Sequence, residues 1–360
     1  MKELSRSVID NSIRRSLKRS IAMIATAASD ENTPMDEIMD YAEKQIISLR
    51  RGKRDGVTLG DILSVFLPRI EGMRNGTYRP IWAPKLTAMR SIIHYVEDTD
   101  LVVIGGRPGD GKSSYLRFEL GHAALDGTPN VIFNYDNDPI DYARWMIALS
   151  TKIDTERLRD ATRLTEEENE QIKRAAAQLA ALPIYIESGH GNADWIKRTA
   201  RSYIIEKGVK LIGVDYVQLI RNSEDNSRND DVAATMATLR EINQTLKIPI
   251  LAASQLNRDI ERRGQGQGPM MADLRDSGSL EQDATVIVFP RTVWTDPSQA
   301  EIASYPENII PATRRPYSQL KAVPIKFHVV KNRNGAVGTS EPVKWIKSTG
   351  DYQTVYQGQA

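Results

Sequence analysis

The sequence predicts an α/β fold, a mostly parallel central sheet flanked by helices and preceded by a short helical N-terminal stretch. Three observations carry this reading. Short apolar runs bounded by turn residues alternate with longer helical patterns, polar residues stand at the ends of those runs, and one run leads directly into a glycine-rich loop and a helix. The runs are LVVI at 101–104, VIF at 131–133, IYI at 184–186, LIGV at 211–214, ILAA at 250–253, TVIVF at 285–289 and FHVV at 327–330. Strands this continuously apolar belong to a sheet covered on both faces. Such sheets bind ligands at the carboxyl ends of their strands, where all the polar motifs below are expected.

Ahead of the sheet, residues from about Leu4 to Ala28 can form a helix with Leu4, Val8, Leu17, Ile21 and Ile24 as apolar positions. A second helix begins at Thr33 as N-cap, with Pro34 at the first helical position and Asp36 and Glu37 in the first turn. Its apolar stripe is Met35, Ile38, Met39, Ala42, Ile46 and Leu49. It ends in a basic run, Arg50, Arg51, Lys53 and Arg54 around Gly52, that reads as a linker. A short helical segment near Leu59 to Met73 precedes the first strand. The expected division is a helical segment at 1–32, a linker helix and basic linker at 33–56, and the α/β domain at 57–360. The run Gly264 to Gly268 reads as a flexible loop.

Composition narrows the function classes. Forty percent of the 360 residues are apolar, enough for a sizeable core, and 48 basic against 47 acidic residues leave a net charge of +1. No global field draws the chain to nucleic acid or membrane, so any polyanion contact must be local. The absence of cysteine excludes disulfides and thiolate zinc sites, and four scattered histidines argue against an imidazole metal site. Nowhere do 18 apolar residues run together, and Glu3 and Asp10 interrupt the basic, serine-containing start. The cytoplasm is the expected location, with no membrane partner.

The run GRPGDGKS from Gly106 to Ser113 fits the pattern G-x-x-x-x-G-K-S/T between the strand LVVI and a helix from Lys112 to about Ala124. The bare pattern arises by chance in roughly one chain in a hundred of this size, and its setting makes chance rarer still. It marks a phosphate loop. Backbone N–H groups of Gly106, Arg107, Pro108, Gly109, Asp110 and Gly111, proline lacking its own, curl around phosphates at a helix N-terminus. Lys112 then reaches the β and γ oxygens, and Ser113, followed by Ser114, can hold magnesium.

Hydrolysis needs a second acid near the metal and a group that orients water. Asp215, ending the run LIGVD, supplies the first; capping the next helix is the plainer alternative. For the second, Asp136 and Asp138 lie just past VIF, where two turn aspartates would look the same. Gln255 at the tip of ILAASQ can sense a γ-phosphate or simply satisfy a strand end.

In order and spacing these pieces resemble the replicative DNA helicases of the DnaB type over nearly the whole chain. GGRPGDGKSS, LIGVDYVQLI and SQLNRDIERR are similar to the first three motifs of that family, and DLRDSGSLEQDATVIVF and KNRNGAVG to the fourth and fifth. SRSVIDNSIRRSLKRSIAMI resembles the last helices of the family's N-terminal domain, most of which is absent, and MDEIMDYAEKQIISL resembles the helix that joins it to the motor. The resemblance implies a RecA-like motor that assembles as a homohexamer around single-stranded DNA and moves from five-prime to three-prime on ATP and Mg2+. Primase and a helicase loader are its implied partners.

Carried across, Lys112 and Ser113 hold phosphate and metal, Asp215 supports magnesium, and Gln255 couples the γ-phosphate to DNA. Lys331 and Arg333 reach into the neighbouring subunit's site, and the linker helix docks on the next subunit. The turn Arg275, Asp276, Ser277 and Gly278 grips the DNA backbone, with Arg258, Arg262 and Arg263 nearby. Two departures stand out. Asp136 falls where the family has a catalytic glutamate, one methylene longer, and the connection at 291–324 is longer than the family's, consistent with an outer-surface insertion. A RecA-like recombinase filament and a non-motor ATP-binding relative are the rival readings. The SQLNR and KNRNG motifs argue against the first, whereas Asp136 is what favours the second.

Overall fold

The computed structural model describes residues 18, 20–29, 34, 37–42, 58–189, 191–223, 227–257, 270–274, 277–292 and 322–354. The chain divides into two compact units, Met1–Arg79 and Pro80–Ala360, so the boundary expected at 57 falls inside the first.

Within the first unit, residues 20–28 and 37–42 are helical, and Ile38 is buried while Met39 is open to solvent. Leu4, Val8 and Leu17 of the first expected helix lie outside the described residues. So do Thr33, Met35, Asp36, Ile46, Leu49 and the basic run of the second. The segment expected near Leu59 is a full helix, Leu59–Arg74. Its start is fixed reciprocally: Asp61 N–H donates to Thr58 Oγ1 at 3.2 Å and Thr58 N–H donates to Asp61 Oδ2 at 3.1 Å. None of its side chains is buried, and Leu59, Ile62, Val65, Phe66 and Leu67 are more than half exposed.

The second unit is built on one ten-stranded sheet. Its strands are β1 (Leu101–Gly106), β2 (Asn130–Asn134), β3 (Ile184–Ser188), β4 (Leu211–Asp215), β5 (Ile250–Gln255), β6 (Val286–Thr292), β7 (Ala322–Asn332), β8 (Gly338–Thr339), β9 (Val343–Ile346) and β10 (Asp351–Thr354). Their order is β10-β9-β7-β6-β1-β5-β4-β2-β3, with β8 on β7. The first six strands are parallel, as the alternation with helices predicts. The last four extend the sheet antiparallel from β6. β8, β9 and β10 were not among the apolar runs because they have only two to four residues each, and β9 buries only alternate residues, Val343 and Trp345.

Strand alternation divides the core into two. Val102, Ile104 and Ile132 face one side, where Leu116 and Leu120 of the helix Lys112–Leu125 and Trp145 and Leu149 of the helix Pro139–Thr151 cover them. Leu101, Val103, Val131 and Phe133 face the other, beneath Ile196 of the helix Ala193–Lys207 and Val232, Met236 and Leu239 of the helix Arg228–Leu246. Close approach fixes one contact: a Cβ at Gly213 would come within 2.4 Å of Leu120 Cδ1.

One buried acid ties the entry segment to this core. Glu119, 1 % exposed, accepts from Trp82 Nε1 at 3.1 Å and from the Lys85 N–H at 2.9 Å. Burial pushes its carboxyl up to about 7, although those donors oppose the shift. The folded state therefore binds a proton that the unfolded chain has released, so stability present below the ordinary glutamate pKa is lost as pH rises through 7. The thermal midpoint is expected to fall from about pH 4.5 to 7, and Glu119→Gln should flatten that part of the profile relative to wild type in melting experiments at stepped pH.

Candidate functional site

The phosphate loop joins β1 to the helix Lys112–Leu125, and its backbone curls because Gly109 (φ +92°) and Gly111 (φ +89°) adopt the left-handed region. Gly111 is the N-cap, and no side chain caps the helix, so its first N–H groups stay available to an anion. The loop is held from its own side chains: Arg107 N–H donates to Asp110 Oδ2 at 2.8 Å, and Arg107 Nη1 donates to the Leu256 carbonyl at 3.1 Å. Burial pushes the Asp110 carboxyl up to about 6, against the pull of that N–H and of the nearby cations. Pro108 and Gly109 form the exposed tip, with Gly106 beneath it at the end of β1.

Register brings the other strand ends to this loop. Gln255 is the partner of Gly106, and Asp215 is the partner of Asn134, the last residue of β2. Ser113 Oγ donates to Asp215 Oδ1 at 2.7 Å, and Arg117 Nη2 lies 3.4 Å from Asp215 Oδ2. Asp215 is fully buried, and burial raises its pKa against Arg117, the Ser113 hydroxyl and Lys112. The Lys112 ammonium sits 4.8 Å from the centre of the Tyr216 ring, a cation–π contact that holds the side chain over the loop. A serine hydroxyl bonded to a carboxylate, beside a lysine and open helix N–H groups, suits a magnesium nucleotide: hard oxygen ligands for the metal and donors for the phosphates.

The two aspartates after β2 have different surroundings. Asp138 is the N-cap of the helix Pro139–Thr151 and accepts from the Ile140 N–H at 2.7 Å. Asp136 is exposed, accepts from Asn137 Nδ2 at 3.3 Å, and is close enough to Asp215 and Tyr216 for its charge to raise the pKa of both. Asp138→Ala should therefore cost about 1 kcal/mol of stability through the lost cap and leave hydrolysis intact. Asp136→Glu should keep or raise turnover, and steady-state rates of the two variants would separate the roles.

Lys331 and Arg333 stand at the carboxyl end of their own strand, β7, yet not at the edge of the sheet that carries the phosphate loop. β7 runs antiparallel to β6, and Asn332 pairs with Val286, the first residue of β6. The Arg333 N–H donates to the Thr285 carbonyl at 3.0 Å, and the Thr285 N–H donates to that of Leu101 at 2.9 Å. The pair thus lies at the amino end of β1, with roughly 17 Å of strand between it and the phosphate loop, further than any side chain extends. Lys331 Nζ donates to the Glu281 carbonyl and Arg333 Nη2 to that of Gln282, both in the helix Ser277–Asp283. Burial, and then the neighbouring Arg333, lower the Lys331 pKa.

Gly278, expected in a turn, is instead helical and exposed. Arg258, Arg262, Arg263, Arg275 and Asp276, and most of the 291–324 connection, lie outside the described residues.

Three residues of the site escaped the sequence reading. Arg117 stands four positions after Ser113, on one helix face, a spacing that could have revealed it. Gln218 accepts from the Gln255 N–H at 3.0 Å and donates to Ser254 Oγ at 2.8 Å, fixing the tip of β5. Tyr216 follows Asp215 directly, but only the fold shows Lys112 above it.

Comparison with known proteins is concordant. The sequence model of the DnaB-like helicase C-terminal domain matches residues 84–354. The replicative DNA helicase DnaB of Geobacillus stearothermophilus is 28% identical over 342 residues, 93% of this chain and 71% of that protein. The replicative DNA helicase DnaC of Bacillus subtilis is 28% identical over 333 residues, 90% of this chain and 69% of that protein. A solved structure of a DnaB-like replicative helicase and its interactions with primase aligns with a TM-score of 0.73 at 19% identity, over 99% of this chain and 78% of that one, a likeness of fold.

Proposed function

The chain belongs to the DnaB-like helicase C-terminal domain family and is a nucleotide-hydrolysing replicative DNA helicase, and from that premise we propose a ring motor whose ATP sites are completed between subunits. The observation that carries this reading is the separation of Lys331 and Arg333 from the phosphate loop of their own chain. Cations at the far edge of the sheet cannot reach the phosphate loop of their own chain. The proposed ring brings that edge to the next subunit's loop, the contact a heterologous head-to-tail interface allows.

The residues divide the work accordingly. N–H groups of the loop from Gly106 to Gly111 and the Lys112 ammonium bind the phosphates of ATP, with Ser114 in the same turn. Ser113 and Asp215 would hold Mg2+, which supplies charge neutralisation across the phosphates. Arg117, 3.4 Å from Asp215, opposes the rise that burial causes in its pKa. Asp136 orients the attacking water, and Gln255, fixed by Gln218, reports the nucleotide state to the DNA side. Lys331 and Arg333 of the adjacent copy offset the charge that develops in the transition state.

The exposed apolar residues of Leu59–Arg74 support assembly, because a surface of that kind needs a partner. They add a second docking element to the linker helix expected at 33–56. Single-stranded DNA in the ring channel, gripped at Arg275, Asp276 and Gly278 with Arg258, Arg262 and Arg263 nearby, and movement from five-prime to three-prime complete the proposal. Primase and a loader are the partners it implies. No helix among the described residues is long and apolar enough to cross a membrane. A labelled fork substrate with ATP tests the motor: strand displacement by a ring-forming preparation is expected, and rings that displace no strand would contradict it.

A further inference from the structure

The antiparallel end of the sheet reaches the phosphate loop. Trp345 of β9 and Tyr352 of β10 are direct cross-strand partners, their rings stacked 5.8 Å apart at an interplanar angle of 5°. Both are nearly buried, at 7% and 4% exposure. Each carries one polar atom, and each polar atom meets the nucleotide loop or the turn that follows it. Tyr352 O–H donates to the Gly111 carbonyl at 3.2 Å, and Trp345 Nε1–H donates to Ser114 Oγ at 3.2 Å.

These two contacts bracket Lys112 and Ser113. The Gly111 carbonyl also accepts the first helical bond, from the Tyr115 N–H at 2.8 Å. The Tyr352 hydroxyl therefore helps aim the peptide that precedes the phosphate-binding lysine. A Cβ at Gly111 would stand 3.1 Å from both Trp345 Cη2 and the Tyr352 oxygen, so the rings lie directly against the loop backbone. Apolar packing alone does not account for the pair: phenylalanine at both positions would fill most of the same space, with no donor to either partner.

We propose that Trp345 and Tyr352 are positioning residues for nucleotide binding, which brace the phosphate loop from behind through the Gly111 carbonyl and the Ser114 hydroxyl. The inference rests on the phosphate-loop reading above. Neither residue touches substrate. They hold the loop in its binding geometry before the nucleotide arrives, so their loss is read in affinity more than in saturated turnover.

Tyr352→Phe removes a single oxygen and Trp345→Phe removes the indole donor. Dissociation constants for MgADP, measured by calorimetry on the full chain, are expected to rise roughly three- to ten-fold for each variant and further for the pair, with kcat at saturating ATP close to wild type. In a Ser114→Ala background, Trp345→Phe should weaken binding no further, because the bond it deletes is already gone. Should Trp345→Phe lower the melting temperature by leaving a cavity, Tyr352→Phe decides the matter, since it keeps the ring. MgADP affinity equal to wild type in Tyr352→Phe and in the folded double variant would overturn the proposal. Lys112→Ala, measured alongside, separates the two layers. If it too binds normally, the phosphate-loop reading has failed; if it alone loses affinity, only the bracing role has.

Discussion

With Lys112 replaced by alanine, hydrolysis is expected to fall by about 10³-fold or more, and DNA unwinding with it. Lys112 is 8% exposed, its ammonium held above Tyr216, and it stands one residue from Ser113, whose hydroxyl is bonded to Asp215. No neighbour can take its place. Arg117 is already engaged with Asp215, and Arg107 reaches away to the Leu256 carbonyl. The fold should survive, because the helix after the loop is anchored by Leu116 and Leu120 rather than by the lysine. Steady-state hydrolysis beside a melting curve checks both halves: a lost rate with an unchanged melting temperature is the expected outcome.

Arg333→Ala should produce a similar loss of turnover by a different route, about 10³-fold, the scale for a cation that offsets transition-state charge from a neighbouring subunit. Nucleotide affinity should hardly change, because the phosphate loop is intact and roughly 17 Å away along β1. The variant also loses the guanidinium bond to the Gln282 carbonyl, at the end of the helix that begins at Ser277. That bond is partly exposed, so its stability cost is small. Arg333→Lys keeps the charge but not the planar fork and should recover only part of the rate. Normal hydrolysis by Arg333→Ala, measured with its MgADP affinity, would remove the shared-site account.

Much of the site was legible because the chemistry is local. A strand, a glycine-rich turn and a helix N-terminus follow one another within about a dozen residues, so GRPGDGKS carried its own context. Asp215 and Gln255 could be read as strand-end residues because the runs before them are continuously apolar. Residues whose role depends on distant pairing were not legible. Glu119 lies in a helix where a glutamate ordinarily faces water, and only Trp82 and the Lys85 N–H make its burial tolerable. Trp345 and Tyr352 sit in strands of four residues each, and they reach Ser114 and Gly111 across 231 and 241 positions of sequence, respectively.

The placement of Lys331 and Arg333 shows the same limit in reverse. Their motif was readable, but the edge of the sheet they occupy was not, because a strand's direction relative to its neighbour is set by the connection and the register rather than by its own residues. The antiparallel pairing of β7 with β6 places the carboxyl end of β7 at the edge opposite the phosphate loop. That correction strengthens the functional reading, since a pair beside its own phosphate loop would have had no need of a neighbour.

The most direct test of sites shared between subunits is to mix the two inactive variants, Lys112→Ala and Arg333→Ala, in equal amounts under conditions that allow subunit exchange, and to measure hydrolysis with single-stranded DNA present. In a random ring, about a quarter of the interfaces then join an intact phosphate loop to an intact Arg333, so recovery towards that fraction of the wild-type rate is the expected result. If every mixture stays as inactive as its parents while wild-type and variant subunits demonstrably exchange, each site must be complete within one chain, and the ring account is contradicted.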